Sequence, residues 1–340
     1  MPTAENSTGR FIDDLRDKAT EALDALHEGV SCLVFTDFPD HHNIGDAAIA
    51  LGQFAYWSRS RIRVRDTYSW RTLDPRVYES TDPVAIQGGG NLGGLYPVHG
   101  AHRHALAERL RSDTPLIQEP QSVWFVSEED RIQFRHLATR PGFRLAVRDA
   151  VSLEAVRGLV PRAILAPDSV HALGRIASPE PTQPVLVLLR RDDESAVPAR
   201  QATALAASGA AAVDWPRLTR VDLARQRLSR MLREGAPTAT SHRATARWEA
   251  DARRRVARGV TLLSRGETIV TDRLHAMLLG LQMGRRVIAI DNANGKLTSY
   301  ARTWLLDTDA PLEFADDLEQ AAAMVGGRPH PVDRAVIGPR

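Results

Sequence analysis

TIVTDRLHAMLLGLQMGRRVIAIDNANGKLTSYARTW, residues Thr268 to Trp304, holds a strand, a helix and a second strand in one stretch. Thr268 to Val270 is a short apolar run that reads as a buried strand. Thr271 or Asp272 then offers a side-chain oxygen to cap a helix. Leu274, Met277, Leu278 and Leu281 follow the i, i+3, i+4, i+7 spacing of one apolar helix face. Gly284, able to take positive φ, ends that helix. Val287 to Ile290 is the next strand, and Asp291 to Thr298 is a polar loop. Strand, helix and strand with short joints make a βαβ unit. Arg273 and His275 lie in the first helical turn, where unpaired N–H groups and the positive end of the dipole already favour an anion. An arginine and a histidine there suit a phosphate or a carboxylate. A helix start with two surface residues is the plainer alternative.

At 340 residues the chain fits two domains of roughly 150 to 170 residues each. Apolar content of 43% with 25% charged residues is that of a globular protein, and no run reaches the roughly 20 apolar residues of a membrane span. The N-terminus is polar and acidic without a signal-peptide core, so a cytoplasmic location is expected. The lone cysteine, Cys32, lies in the apolar run Ser31 to Phe35 and reads as a small buried hydrophobe rather than a reactive thiol. A formal net charge of +2 gives no footprint for nucleic acid. Of the 44 basic residues only Lys18 and Lys296 are lysines. Lys296, kept in the Asn-Gly loop of an arginine-rich chain, suggests a place for a compact ammonium.

Working outward, Gly9 to His27 reads as an amphipathic helix and Cys32 to Phe35 as the first buried strand. Asn43, Gly45 and Asp46 follow, just before a helix expected to start near Ala47. A glycine before a helix at a strand's carboxyl end is where open α/β sheets hold ligands. Strands are expected at Arg61 to Val64 and Val84 to Gln87. The latter runs into Gly88 to Gly94, five glycines in seven residues, which let backbone N–H groups approach a ligand. Strands at Leu116 to Gln118 and Leu145 to Arg148, and helices at Ser127 to Thr139 and Ser152 to Val160, continue the alternation. Gln118 or Gln121 is a candidate to face a ligand. Asp168 and His171 follow the strand Ile164 to Ala166, and their spacing makes no metal site. Ser178 to Pro184 is proline-rich and polar, the best domain boundary. Val185 to Leu189 starts a second α/β half and delivers Arg190 at its end. Helices are expected at Arg217 to Glu234, His242 to Gly259 and Leu312 to Val325, and Arg253 to Arg255 reads as a solvated face. The layout is therefore 1–178, a linker at 179–184, 185–326, and a tail at 327–340.

The signature stretch, with its TDRLHA helix start and its Asn292-x-x-Gly295-Lys296 loop, resembles the polysaccharide pyruvyl transferase family. Asn43-Ile44-Gly45-Asp46 and Gly88-Gly89-Gly90-Asn91 match further motifs in the same order. So do the VRD and APD elements ending at Asp149 and Asp168, and Arg190, Asp192 and Glu194 of an R-x-D-x-E pattern. The resemblance runs from about Leu33 to Trp304. It implies two Rossmann-like doubly wound α/β domains facing a cleft, a GT-B-like architecture. It implies a transferase that moves pyruvate from phosphoenolpyruvate onto a sugar as a cyclic ketal, with no metal and no cofactor beyond that donor. It carries substrate binding onto Arg190, Arg273 and His275. Lys296 adds a point charge, and Leu274 lies inside the motif. Asn43, Gly45, Gly89, Gly90, Asn91, Asp168 and His171 complete the expected set. His275 is the candidate catalytic acid, and Asp46 is the candidate that orients or deprotonates the acceptor hydroxyl. The acceptor is a glycan sugar, free or lipid-linked, and a lipid-linked one would bring the enzyme to the inner membrane face. The rivals are a GT-B glycosyltransferase using a nucleotide sugar and a non-catalytic sugar- or anion-binding protein.

Overall fold

The computed structural model describes residues 9–190, 212–216, 224, 228, 241–291 and 295–325. The expected helix at Arg217 to Glu234 lies almost wholly outside them, as do Asp192, Glu194 and the tail. The chain forms two compact units, one of Arg16–Leu173 with Arg217–Val256, the other of Met1–Leu15, Gly174–Pro216 and Ala257–Arg340. No helix among the described residues is long and apolar enough to cross a membrane.

The first unit is built on an all-parallel sheet of β1 (Cys32–Thr36), β2 (Arg63–Thr67), β3 (Val84–Ile86), β5 (Leu116–Val123), β6 (Phe143–Val147) and β7 (Ile164–Leu165), in the order β2-β1-β3-β5-β6-β7. A short β4 (Gly89–Leu92) pairs with β5. The strand order reverses between β1 and β3, and such a switch point opens a crevice at the carboxyl ends of the strands. Helices α1 (Arg10–Leu26), α2 (Ile44–Arg59), α3 (Pro97–Arg109), α4 (Glu128–Ala138) and α5 (Ala150–Val156) alternate with the strands, as a parallel sheet demands. Val34, Val84, Ile86, Leu106, Leu116, Leu145 and Val147 fill the core.

Helix α2 is apolar on almost every side, and its Gly52 explains how. A Cβ there would lie 2.0 Å from the carbonyl oxygen of Ser169, so only glycine lets the 3-10 turn Ser169–Leu173 lie against the helix. The helix starts at Ile44 rather than near Ala47, with Asn43 as its cap, so the NIGD motif is the helix's own first turn. Helix α6 (Ser241–Leu263) follows the linker in sequence, yet its first part clusters with the first sheet. The Trp248 indole N–H donates to Thr67 O at 3.0 Å, and its ring lies tilted against Phe38 with centroids 4.5 Å apart. Arg253 to Arg255 do not share one solvated face. Arg255 is buried, donates to the Pro39 carbonyl at 2.9 Å and pairs with Asp251 at 2.8 Å.

The second unit carries four parallel strands, β8 (Gln183–Leu188), β9 (Gly266–Thr271), β10 (Arg286–Ile290) and β11 (Leu312–Ala315), in the order β11-β10-β9-β8. Helices α7 (Leu274–Gln282), α8 (Lys296–Trp304) and α9 (Leu318–Val325) accompany them. Leu312 to Val325 is thus not one helix. Its first four residues pair with β10, and Asp317 Oδ1 caps the shortened helix through the Gln320 amide at 2.8 Å. Helix α7 is buried on nearly every side rather than on one apolar face, with Leu274, Ala276, Met277, Leu278, Leu279 and Leu281 all inside. Gly280 permits this, since a Cβ would lie 2.8 Å from Ile269 Cδ1. The helix closes on a Schellman motif. Gly284, at φ 73, donates to Leu281 O, and Arg285 donates to Gly280 O, both at 2.9 Å.

Candidate functional site

Three cations follow three neighbouring strands of the second sheet. Arg190 comes two residues after β8, Arg273 two residues after β9, and Lys296 opens α8 after β10. The strands are in register, with Leu188 and Ala289 both paired to Thr271, so their carboxyl ends lie on one edge. Arg273 is the N-cap residue of α7, extended at φ −106 and ψ 118, and its side chain makes no cap bond. The N-cap position itself thus falls to Arg273 rather than to Thr271 or Asp272. Thr271 Oγ1 accepts from the Arg273 amide at 3.1 Å and donates to Leu188 O at 2.7 Å. The fully buried Asp272 carboxylate turns to the Arg190 amide at 2.8 Å. A carboxylate buried beside a backbone donor is held there by the cost of leaving that donor unpaired. The two turns are thereby tied together, which fixes where Arg190 and Arg273 leave the sheet.

Arg273 is 8% exposed and its guanidinium pairs with Asp214 at 2.7 Å. Asp214 comes from a single residue bridge, Val213 on Leu188, and sequence reading gave it no role. A carboxylate on one side of a guanidinium fixes the plane of the fork. His275 is half-buried in the first turn of α7, while Leu274 is buried in the core. The Leu274 side chain therefore packs, and its contribution at the helix start is its backbone. Asp291 caps α8, accepting from Leu297 N at 3.2 Å and from Thr298 N at 3.4 Å, and Gly295 at φ 63 sets the turn that begins with Lys296.

The first unit has its own polar group at the switch point between β1 and β3. Asn43 Oδ1 accepts from Gly45 N at 2.9 Å, and Asn43 Nδ2 donates to Asp46 Oδ2 at 2.9 Å. His41 Nε2 is 3.5 Å from the same Asp46 oxygen. Gly89, at φ 134, lies over this turn, where a Cβ would come 3.9 Å from Asp46 Oδ1. The structure therefore brings Asn43, Gly45, Asp46 and Gly89 together. Gly90, half-buried, is next in β4. Asn91 is clamped. Its Oδ1 accepts from Arg103 Nη2 at 2.6 Å and Gln121 Nε2 at 2.9 Å, and its amide donates to Gln121 Oε1 at 3.2 Å. Gln118 accepts from Arg103 Nε at 2.8 Å and is fully buried, so both glutamines support the loop from behind.

Asp168 and His171 come just after β7. Both are buried, and Asp168 pairs with Arg148 at 2.7 Å while accepting from Val170 N at 2.9 Å. Arg148 Nε also donates to Ser122 Oγ at 2.9 Å. Asp168 thus orients Arg148 at the end of β6. The Cys32 thiol is not activated: burial pushes it up, and Asp82 adds to the shift.

Sequence reading missed one further pair. Asp37, directly after β1, is a non-glycine residue at φ 60. Both of its oxygens face His99 Nδ1 of α3, at 2.8 and 2.9 Å. Burial alone would raise the Asp37 carboxyl. The hydrogen bond from His99 and the charges of His99, His102 and Arg103 outweigh it and hold the group below the usual carboxylate range. A carboxylate that accepts at Nδ1 leaves Nε2 as the basic nitrogen of the ring. No local motif marks Asp37 or His99, since the pairing joins residues far apart in sequence.

A profile of the family described as polysaccharide pyruvyl transferase matches residues 43–294. Pyruvyl transferase 1 of Schizosaccharomyces pombe is 30% identical over 323 residues, covering 87% of this chain and 76% of that protein. EpsO of Bacillus subtilis is 26% identical over 307 residues, covering 86% of this chain and 90% of EpsO. In fold, the chain is similar to the crystal structure of an uncharacterised Klebsiella pneumoniae protein, with a TM-score of 0.63 at 17% identity over 89% of this chain and 98% of that one. With the matched span running from the Asn43 cap to the loop before Lys296, the chain belongs to the polysaccharide pyruvyl transferase family.

Proposed function

We propose that the protein transfers pyruvate from phosphoenolpyruvate to a sugar and closes it as a cyclic ketal. The observation that carries this reading is the row of Arg190, Arg273 and Lys296 after three adjacent strands, with His275 in the turn that Arg273 begins. Phosphoenolpyruvate brings a phosphate and a carboxylate, and a pair of arginine forks with one ammonium suits two such anions. His275 donates a proton to carbon 3 while a sugar hydroxyl attacks carbon 2, which forms a tetrahedral, phosphate-bearing adduct. Inorganic phosphate leaves, and a second hydroxyl of the same sugar closes the ketal. One hydroxyl proton replaces the one taken from His275, and the other departs with the phosphate or to solvent. The acceptor is a sugar with two suitably spaced hydroxyls, free or lipid-linked.

Calorimetric titration of phosphoenolpyruvate into the wild type and into Arg273→Ala tests the donor. Saturable binding that is lost in the variant is expected. Binding of a uridine diphosphate sugar in place of phosphoenolpyruvate would overturn the reading.

A further inference from the structure

On the outer faces of α3 and α4, His104, Glu108 and His136 converge. Their ligand atoms all lie within 4.8 Å of one another. His104 and Glu108 are one helical turn apart on α3, and His104 Nε2 already sits 3.0 Å from Glu108 Oε1. The His136 ring comes from α4, with its centroid 5.5 Å from that of His104. Two imidazoles and one carboxylate are a recurrent ligand set for zinc-class ions, at about 2.0 to 2.2 Å from the metal. Ligand atoms on such an ion are roughly 3.3 Å apart by that geometry. The His104–Glu108 separation is close to this, and His136 needs only a side-chain rotation to join. All three side chains are exposed, so nothing but water is displaced.

We propose that His104, Glu108 and His136 form a site for a divalent transition metal ion of the zinc class, which pins α3 to α4. Magnesium and calcium are excluded as natural occupants by the two imidazoles, since these ions prefer oxygen. The fourth coordination position faces solvent and takes a water. The two helices are those that frame the GGGN loop. Arg103 of α3 holds Asn91 at 2.6 Å. At the N-terminus of α4, the Asp130 carboxylate lies where a Cβ on Gly94 would be, 2.2 Å from it. A metal joining the outer faces of the same helices fixes the frame without touching the loop. This inference is independent of the donor and acceptor chemistry proposed above.

The test is titration of the full chain with Zn2+ alone, followed by calorimetry and by thermal unfolding, with Co2+ absorption in the visible as the coordination signature. One ion per chain is expected, with a rise in Tm of about 5 °C at a hundredfold excess over Kd. His136→Ala and Glu108→Gln should each weaken binding at least about tenfold while leaving Tm without metal unchanged, as the positions are exposed. Mg2+ should not bind. Absence of one-to-one saturable binding, or equal binding in His136→Ala, overturns the proposal. So does a Tm rise that Mg2+ reproduces.

Discussion

His102 should make the protein lose stability as the pH falls from neutral toward 5, and removing it should cancel that loss. The residue is 7% exposed on α3, and its Nε2 has no hydrogen-bond partner among the described residues. Burial pushes its pKa from 6.5 down to about 4; Asp37 pulls the other way, while Arg103 and His99 add to the depression. The folded value is below the unfolded one, so the unfolded chain takes up the proton first as pH falls. The contribution is fully present above about 6.5 and is lost on the way down to about 4. The whole depression corresponds to about 3 kcal/mol, and by pH 5 about 2 kcal/mol of it is gone. His102→Leu removes the titrating group and the unpaired nitrogen together, at similar volume. Urea unfolding of wild type and variant at pH 7.5 and pH 5 measures the difference. Asp37, held low, and His27, held high by Glu119 against the effect of its burial, titrate in both proteins, so their terms cancel to first order. The variant should gain about 2 kcal/mol on the wild type between the two pH values. Parallel pH curves, within about 0.5 kcal/mol, would mean that His102 takes up its proton at the same pH in the folded and the unfolded chain, and the burial argument fails.

Gly52→Ala should cost about 3 kcal/mol, read as a fall in the urea midpoint, because its new methyl meets the Ser169 carbonyl and carbonyl carbon at 2.0 and 2.6 Å and backbone must move. Gly100→Ala, in α3 with nothing within 4 Å, should instead stabilise by about 0.5 to 1 kcal/mol; the same sign for both would refute the packing account. His275→Gln should lower ketal formation by at least about a hundredfold. Full turnover in that variant would remove His275 as the acid.

Much of this layout is legible in the chain because strand ends and glycines carry local physical signals. The βαβ reading of Thr268 to Ile290 is of this kind, down to Gly284 in the left-handed turn. So is the grouping of Asn43, Gly45 and Asp46, although the cap comes three residues earlier than the apolar pattern suggests. The misses have a common cause. Asp214 and Asp37 act on partners 59 and 62 residues away, and no periodicity records such a pairing. Leu312 to Ala315 carries helix-compatible residues, yet the vacant edge of β10 claims it as a strand. Arg255 sits in a run of three arginines that looks solvated, and only the packing of α6 singles out the one that is buried.

The clamp on Asn91 bears on how this loop can be moved between proteins. Gly88 to Asn91 owes its shape to the side chains of Arg103, Gln118 and Gln121, on a helix and a neighbouring strand, which hold Asn91 and the Gln87 carbonyl before the loop. A graft of the four loop residues alone would import the sequence and lose the conformation. A chimera has to carry the guanidinium and both glutamines with it, so the portable unit is the set of side chains behind the loop rather than the loop itself.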